Sequence, residues 1–563
     1  MPDPALFERN MLAIASFHPE STASRIRAAR PDPRVGFESA RDGSQVPYLD
    51  LAGRRAHMHS RFDPVREATR LARAYDGGGF YVFLGLGAGF LPLALLDSGL
   101  LNRGLIVEYR ASTLRALLER LDLTRLLADR RLCLMVDPAD DELAAAVAEL
   151  YVPAVAGGFS VVPLSSRVDA ESERFHSASV ALKGALSSVS DDYSVQAHFG
   201  KRWFSNIVRN IRQACLATPP VAPVRRAIVT GAGPSLEDAV PLLKSRSRDE
   251  FLIATDTSLP ALLGSGVKPD AVISIDCQHI SYYHYMDGLP EDVPLFLDLA
   301  SPPNLARLAR RPYFFASAHP FAGYISSRLR AFPSLDTSGG NVTHAALSLA
   351  ARLGARQVSV YGADYSYPGG RSYARGTYIH RYFDARQARL GPFESMHVEL
   401  MFRSCTVRKE NDPDGLFHYR NRQLDVYLER FERYGSSLAM FVTRRRGGGA
   451  ASTLDGDKAT QVPPGPPGAV FASGRLFMGT DDFMKSYLKA LTGLPRLRGP
   501  ETPAKAGSYM AELEPDALEA LVTILPSVAA FRKEAETRGS GRASVLRDAL
   551  EWSIAKVRGE LRD

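Results

Sequence analysis

Twice along this chain a short, wholly apolar run breaks into glycines and gives way to a helical pattern: FYVFLGLGAGFLPLALL at 80–96 and AIVTGAGPSLEDAV at 227–240. An uninterrupted apolar run of strand length implies a strand covered on both faces, and a helix following it implies a parallel crossover. Each run is followed by more of the same. After the first come GLIVEY and RLCLMV (131–136), and after the second come FLIATD (251–256), AVISID (271–276), PLFLDL (294–299), PYFFAS (312–317) and QVSVYGAD (357–364), with helical stretches such as THAALSLAARLGA (343–355) between them. This alternation predicts two α/β domains with parallel sheets, the first Rossmann-like.

With 563 residues the chain exceeds what one core can hold. The expected division is an N-terminal Rossmann-like domain at 1–195, a central α/β domain at 196–440, a Gly/Pro/Ala-rich linker or loop at 441–475, and a helical C-terminal region at 476–563. The apolar stretch 80–96 carries three glycines and a proline, so it reads as a buried strand, turn and helix rather than a membrane span. The start MPDPALFERN lacks the basic and apolar segments of an export signal. Cys133, Cys215, Cys277 and Cys405 are scattered without a CxxC pair, which fits a reducing cytoplasm. A formal charge of +7 suits phosphate-bearing ligands or an acidic partner and is no argument for nucleic acid.

The first glycine turn, Gly85, Gly87 and Gly89 with Glu108 ending the next strand, has the layout of a nucleoside site, as in methyltransferases. Tight strand-to-helix packing asks for the same small residues, and that scaffold reading is the one favoured here. The second, Gly231, Gly233, Pro234 and Ser235, offers free amides at a helix start to an anion. It is neither a P-loop nor a GxGxxG fingerprint. Later strand ends also finish in polar residues: Thr255, Asp256 and Ser258; Asp276, Cys277, Gln278 and His279; Asp364, Tyr365 and Tyr367. Ligands of open α/β sheets lie at that edge, so these groups are expected to share one crevice. Asn341, Thr343 and His344 open a further helix after a glycine turn, where capping and ligand contact are both open. Asp412-Pro413-Asp414 and Asp455-Gly456-Asp457 match the DxD cation pattern only formally, and no metal is assigned. Neither a GxSxG elbow nor an HExxH helix occurs.

The ordered set GAGPSLE, ATDTSLPAL, GVKPDAVISID and GADYSYPGG, spread over about 225–380, resembles the domain shared by archaeal 6-hydroxymethylpterin diphosphokinases and bacterial motility-associated (Maf) flagellin glycosyltransferases. FLGLGAGFLPLALL and LIVEYR look like the domain that precedes it in Maf proteins, so the length favours Maf. The resemblance implies a central domain similar to sialyltransferases, a GT-A variant. It also implies transfer of a pseudaminic- or legionaminic-type nonulosonic acid from its CMP-activated form to Ser or Thr of flagellin, without a metal or tightly bound cofactor, in support of flagellar assembly and motility. By that resemblance Gly231, Gly233, Pro234 and Ser235 would hold the CMP phosphate, Asp256, Ser258 and Asp276 would contact ribose or cytosine, and Asn341 and Thr343 would lie beside the donor. A histidine is expected after GADYSYPGGRS, and Tyr373 stands there. Asp364 is the expected base, ahead of His344, Tyr373 and His380, with Tyr365 and Tyr367 on the acceptor side. The implied partners are flagellin, the CMP-sugar and a possible second copy of the chain. A pterin diphosphokinase and a non-enzymatic flagellin chaperone remain as alternatives.

Overall fold

The computed structural model describes residues 3–75, 77–403, 406–411, 415–456, 471–497, 499, 501–539 and 544–562. The chain is mixed α/β and multidomain, with parallel sheets and a helical C-terminal part, and it divides into two compact units: residues 1–200 with 490–553, and residues 201–489 with 554–563.

The first unit begins with an antiparallel sheet of β1 (Val35–Ser39), β2 (Gln45–Leu51) and β3 (Arg54–His57). Its main sheet comprises β4 (Gly79–Leu84), β5 (Leu101–Glu108), β6 (Leu132–Val136) and β7 (Gly158–Pro163), all parallel, in the order β6-β5-β4-β7. The apolar run on β4 has a simple cause. Phe80, Val82 and Leu84 point into one core cluster while Tyr81 and Phe83 point into another, so both faces are covered. The helix expected over 63–76 is Pro64–Ala72, capped by Asp63, whose carboxylate accepts the Arg66 N–H at 2.7 Å. The C-terminal segment expected to be helical forms Thr480–Thr492, Pro503–Glu512, Pro515–Val522, Leu525–Thr537 and Val545–Arg562. Most of it, residues 490–553, groups with residues 1–200.

The second unit holds β8 (Arg226–Thr230), β9 (Glu250–Thr255), β10 (Ala271–Ser274), β11 (Leu295–Asp298), β12 (Pro312–Phe315), β13 (Gln357–Tyr361), β14 (Tyr367–Pro368), β15 (Arg408–Asn411), β16 (Phe417–Arg420) and β17 (Phe441–Arg444). Seven of them form one parallel sheet, β12-β11-β10-β9-β8-β13-β17, and β14-β16-β15 form a small antiparallel sheet beside it. The chain steps outward from β8 to β12 on one side, then returns to lay β13 and β17 on the other. The switch point lies between β8 and β13, where the connections leave in opposite directions, the place at which ligands of open α/β sheets bind. All six strands expected from sequence are present. The stretch expected as a linker contributes β17 to the sheet edge, and residues 445–456 remain in contact with the unit; residues 457–470 lie outside the described residues.

Candidate functional site

At the switch point the loops after β8 and β13 interlock. The Gly231 N–H donates to the Tyr361 carbonyl and the Gly233 N–H to the Gly362 carbonyl, both at 2.8 Å. A Cβ on Gly231 would fall 2.5 Å from the Gly362 carbonyl oxygen and 3.2 Å from the Thr343 hydroxyl, and a Cβ on Gly233 would run into the Asp364 carboxylate. Gly362 has φ +66°, a conformation that L side chains avoid. These glycines are therefore required by the approach of one loop to the other, before any ligand is considered.

The anion-friendly start of the helix Leu236–Lys244 is already occupied. The Asp364 carboxylate accepts the Ser235 N–H at 2.9 Å and the Ser235 hydroxyl as well, and both side chains are buried. Burial pushes the Asp364 carboxyl up, which the hydrogen bonds from Ser235 and the charges of Arg444 and Arg371 partly offset. Two expectations from sequence meet this contact. A phosphate on the Ser235 amide would face a carboxylate, and both oxygens of Asp364, the expected base, are engaged by Ser235. A strap from β17 covers the pair. Gly447 packs on Ser235 and Gly449 on the Asp364 backbone, each so closely that a Cβ would clash. The Ala450 N–H bonds the Asp364 carbonyl at 3.1 Å and the Ser366 hydroxyl at 3.0 Å. The fully buried Arg444 guanidinium anchors the strap on Asp455 (2.6 and 2.9 Å) and on the Ala363 carbonyl (3.0 Å).

The next strand ends gather carboxylates and hydroxyls. Asp256 accepts the Thr257 N–H at 2.7 Å, the Thr257 hydroxyl at 3.0 Å and the Ser274 hydroxyl at 2.5 Å. Asp276 is half-buried and accepts the Gln278 N–H at 2.9 Å. Burial raises its pKa, and the charge of Asp256 adds to the rise. The Tyr373 hydroxyl is raised to about 12 by burial, with Tyr367, Tyr427 and Asp256 contributing, so it stays a phenol. Asp256, Asp276, Tyr367 and Tyr373 thus share one neighbourhood.

Several expected residues do other work. Ser258 is fully buried and bonds Thr230 and Thr255 at 3.0 Å, tying strand ends together. Asn341 caps the helix Val342–Arg352 by accepting the His344 N–H at 3.0 Å. His344 is buried in a stack on Tyr434 with centroids 4.3 Å apart, its Nε2 lies 3.3 Å from Asp336, and burial lowers its pKa. Tyr365 has φ +47° and points into the core against Phe431, so it presents nothing to an acceptor. His380 packs on Phe393 at 4.6 Å, with a pKa lowered by burial. Sequence reasoning missed the hydrogen bond between the Ser372 hydroxyl and His397 Nδ1 at 2.6 Å, which braces the turn carrying Tyr373. It also missed Tyr427. These partners lie 25 residues and more along the chain, and no spacing rule joins them.

The glycine turn of the first unit is filled by the chain itself. Glu108 accepts the Leu86 N–H at 3.2 Å and the Tyr109 N–H at 3.1 Å and pairs with the fully buried Arg167, while His59 Nε2 accepts the Ala88 N–H at 2.8 Å. The acid and amides that would hold a nucleoside are spent, and the scaffold reading of the turn is the one the geometry supports. Among the described residues no group of three His, Cys, Asp or Glu is placed to hold a metal ion, and no helix is long and apolar enough to cross a membrane. Asp455 is taken by Arg444; Asp412, Pro413, Asp414, Asp457 and Cys405 lie outside the described residues.

Residues 201–370 match the family described as 6-hydroxymethylpterin diphosphokinase MptE-like. Two uncharacterized proteins of Treponema pallidum (strain Nichols) are similar to the chain. One is 36% identical over 154 residues, 27% of this chain and 54% of its own length, so about half of that relative is spanned. The other is 32% identical over 180 residues, 30% of this chain and 81% of its own length. The fold is similar along nearly the whole chain to the structure of a Maf glycosyltransferase from Magnetospirillum magneticum AMB-1, with a TM-score of 0.56, 14% identity, and coverage of 99% of this chain and 95% of that one.

Proposed function

We propose that this chain, whose residues 201–370 match the MptE-like family and whose fold is similar to that of a Maf glycosyltransferase, is a Maf-type glycosyltransferase. In this reading it moves a nonulosonic acid from its CMP-activated form to Ser or Thr hydroxyls of flagellin in the cytoplasm. The reading rests on the switch-point edge of the seven-stranded sheet, where Asp256, Asp276, Thr343 and Tyr373 come from four different connections. Sugar transfer needs such a mixture of proton acceptors and neutral donors.

In the reaction the bond between the anomeric carbon and the phosphate oxygen breaks, CMP departs with the electron pair, and the acceptor hydroxyl oxygen bonds the anomeric carbon. The hydroxyl proton goes to a carboxylate. Asp276 takes this role in place of Asp364, because it is half-buried, has a raised affinity for protons and is not locked to Ser235. Tyr373 and Thr343 donate to the departing phosphate, and Gly231, Gly233 and Pro234 line its approach. Tyr367 stands on the acceptor side, and Asp256, whose oxygens are taken by Thr257 and Ser274, supplies the charge that helps raise Asp276. No divalent cation is assigned to the reaction.

The test is the intact mass of flagellin from cells carrying the parent chain, no chain, or Asp276→Asn. The expected masses show glycan with the parent only, the Asn variant having lost about 100-fold or more in rate. Flagellin of unchanged mass without the chain sinks the reading. The family match at 201–370 favours one second reading, a pterin diphosphokinase, which AMP release from ATP in the presence of 6-hydroxymethylpterin would reveal.

A further inference from the structure

The connections that leave the C-terminal ends of β10 and β13 meet in a ladder of rings. Tyr283, on the short helix His279–Tyr285, stacks on Tyr378 with centroids 4.9 Å apart and planes at 12°. Tyr378 meets Tyr382 at 5.8 Å, and the Arg386 guanidinium lies 4.1 Å over the Tyr382 ring. An ion pair between Arg381 and Asp287 at 2.5 Å ties the two segments together. Rings packed so regularly normally close a core, yet this ladder stays open to solvent. Tyr283 is 39% and Tyr382 36% exposed, and the same two segments expose Ile280 at 43%, Met286 at 68% and Leu390 at 97%. A concentration of large apolar groups on one edge marks an interaction surface.

The charge of this edge names the kind of partner. Residues 371–389 carry Arg371, Arg375, Arg381, Arg386 and Arg389 against Asp384 alone. Glu237 takes Arg371 and Arg375, and Asp287 takes Arg381, so the outer end at Arg386 and Arg389 keeps its positive charge. The aliphatic side chains decide between classes of ligand. A sugar or a base would stack on the tyrosines and leave Ile280, Met286 and Leu390 in water, whereas a polypeptide covers both kinds of group.

We propose that the Tyr283–Tyr378–Tyr382 ladder, with Met286 and Arg389 at its margin, docks an acidic, apolar-bearing segment of the acceptor protein and holds its hydroxyl at the crevice edge. The inference rests on the transfer reading above, since the ladder and Asp276 occupy the same edge of the sheet. Aromatic and arginine side chains are the residues from which such anchoring is built, and opposite charge speeds and orients the encounter.

The experiment compares the full-length chain with a Met286→Asp/Arg389→Glu variant, both positions being exposed and outside the crevice. Binding of fluorescently labelled flagellin is read by anisotropy at low and moderate salt, alongside CMP release from the donor with water as acceptor. The expected result is affinity for flagellin reduced about tenfold or more, with melting temperature and CMP release unchanged. Equal affinity of the two proteins overturns the proposal, as does an oligothymidylate that displaces flagellin at comparable concentration, which would make the surface a nucleic-acid platform. Weakened flagellin binding with no CMP release from either protein keeps the docking surface and removes the transfer reading, so the two fail separately.

Discussion

Replacing Gly231 with alanine asks whether the glycine turn after β8 serves the fold or a ligand. The added Cβ would lie 2.5 Å from the Gly362 carbonyl oxygen, 3.1 Å from its carbon and 3.2 Å from the Thr343 hydroxyl. Ordinary contact begins near 3.4 Å, so the overlap with the carbonyl approaches an ångström, and the atom in the way is backbone. Relief requires separating two loops joined by the 2.8 Å bonds from Gly231 and Gly233. Overpacking typically costs about 1–3 kcal/mol, and a facing backbone puts this site at the upper end, about 3 kcal/mol. For a unit of this size that lowers its melting temperature by roughly 10 °C. Gly264→Ala is the matched control: it ends the helix Leu259–Gly264, has ordinary φ and meets nothing within 4 Å. It is expected to stabilise by about 0.5–1 kcal/mol. Calorimetry of the full-length variants gives the melting order, and titration with CMP gives ligand binding. Gly231→Ala melting like the parent while losing CMP binding would refute the interlock argument and return the glycine to the ligand.

Two further outcomes follow from buried charge. Arg444→Ala strands Asp455 and unpins the strap, a loss of about 3–5 kcal/mol, measurable as a lower denaturation midpoint and as faster proteolysis after residue 444; a midpoint like the parent's would show that the strap is held without the guanidinium. His59 is held neutral by burial, its pKa lowered from 6.5 to about 4. A lowered histidine pKa contributes stability that is complete above the unfolded value and declines as pH falls from about 6.5 toward 4, by about 2–3 kcal/mol in total. Unfolding midpoints measured between pH 7 and 4 should therefore fall less steeply for His59→Gln than for the parent, and parallel profiles would exclude this histidine.

The sheets were legible because their determinants are local. A strand buried on both faces must be apolar throughout, and Phe80–Leu84 and Ala227–Val229 announce that without reference to anything distant. β17 was not legible, since FVTR is short, lies at an edge and runs straight into RRRGGG, whose composition resembles a linker. What makes the triglycine ordered is the Ser235 and Asp364 surface beneath it, more than 80 residues away in sequence. The crevice was half legible: the polar strand ends at 256, 276 and 364 do lie at one edge, but which of them faces outward depends on what each already holds.

That dependence is where the two glycine turns instruct each other. Both present backbone amides at a helix start, and in both a carboxylate from a neighbouring strand end has taken an amide, Glu108 at Leu86 and Asp364 at Ser235. An amide that binds phosphate well binds a carboxylate well for the same reason, so glycine spacing cannot tell a site from a filled scaffold. The difference lies in what remains beside it. In the first unit Arg167 and His59 close the remaining space, whereas in the second Thr343 lies beside the turn at Gly231, and Asp276 and Tyr373 stand on neighbouring connections of the same sheet edge. On the proposed reading the ligand-facing chemistry moves from the turn to its neighbours. Mutating Asp276 rather than Ser235 is accordingly the sharper probe of the reaction, because Ser235→Ala breaks an internal bond whatever the ligand is.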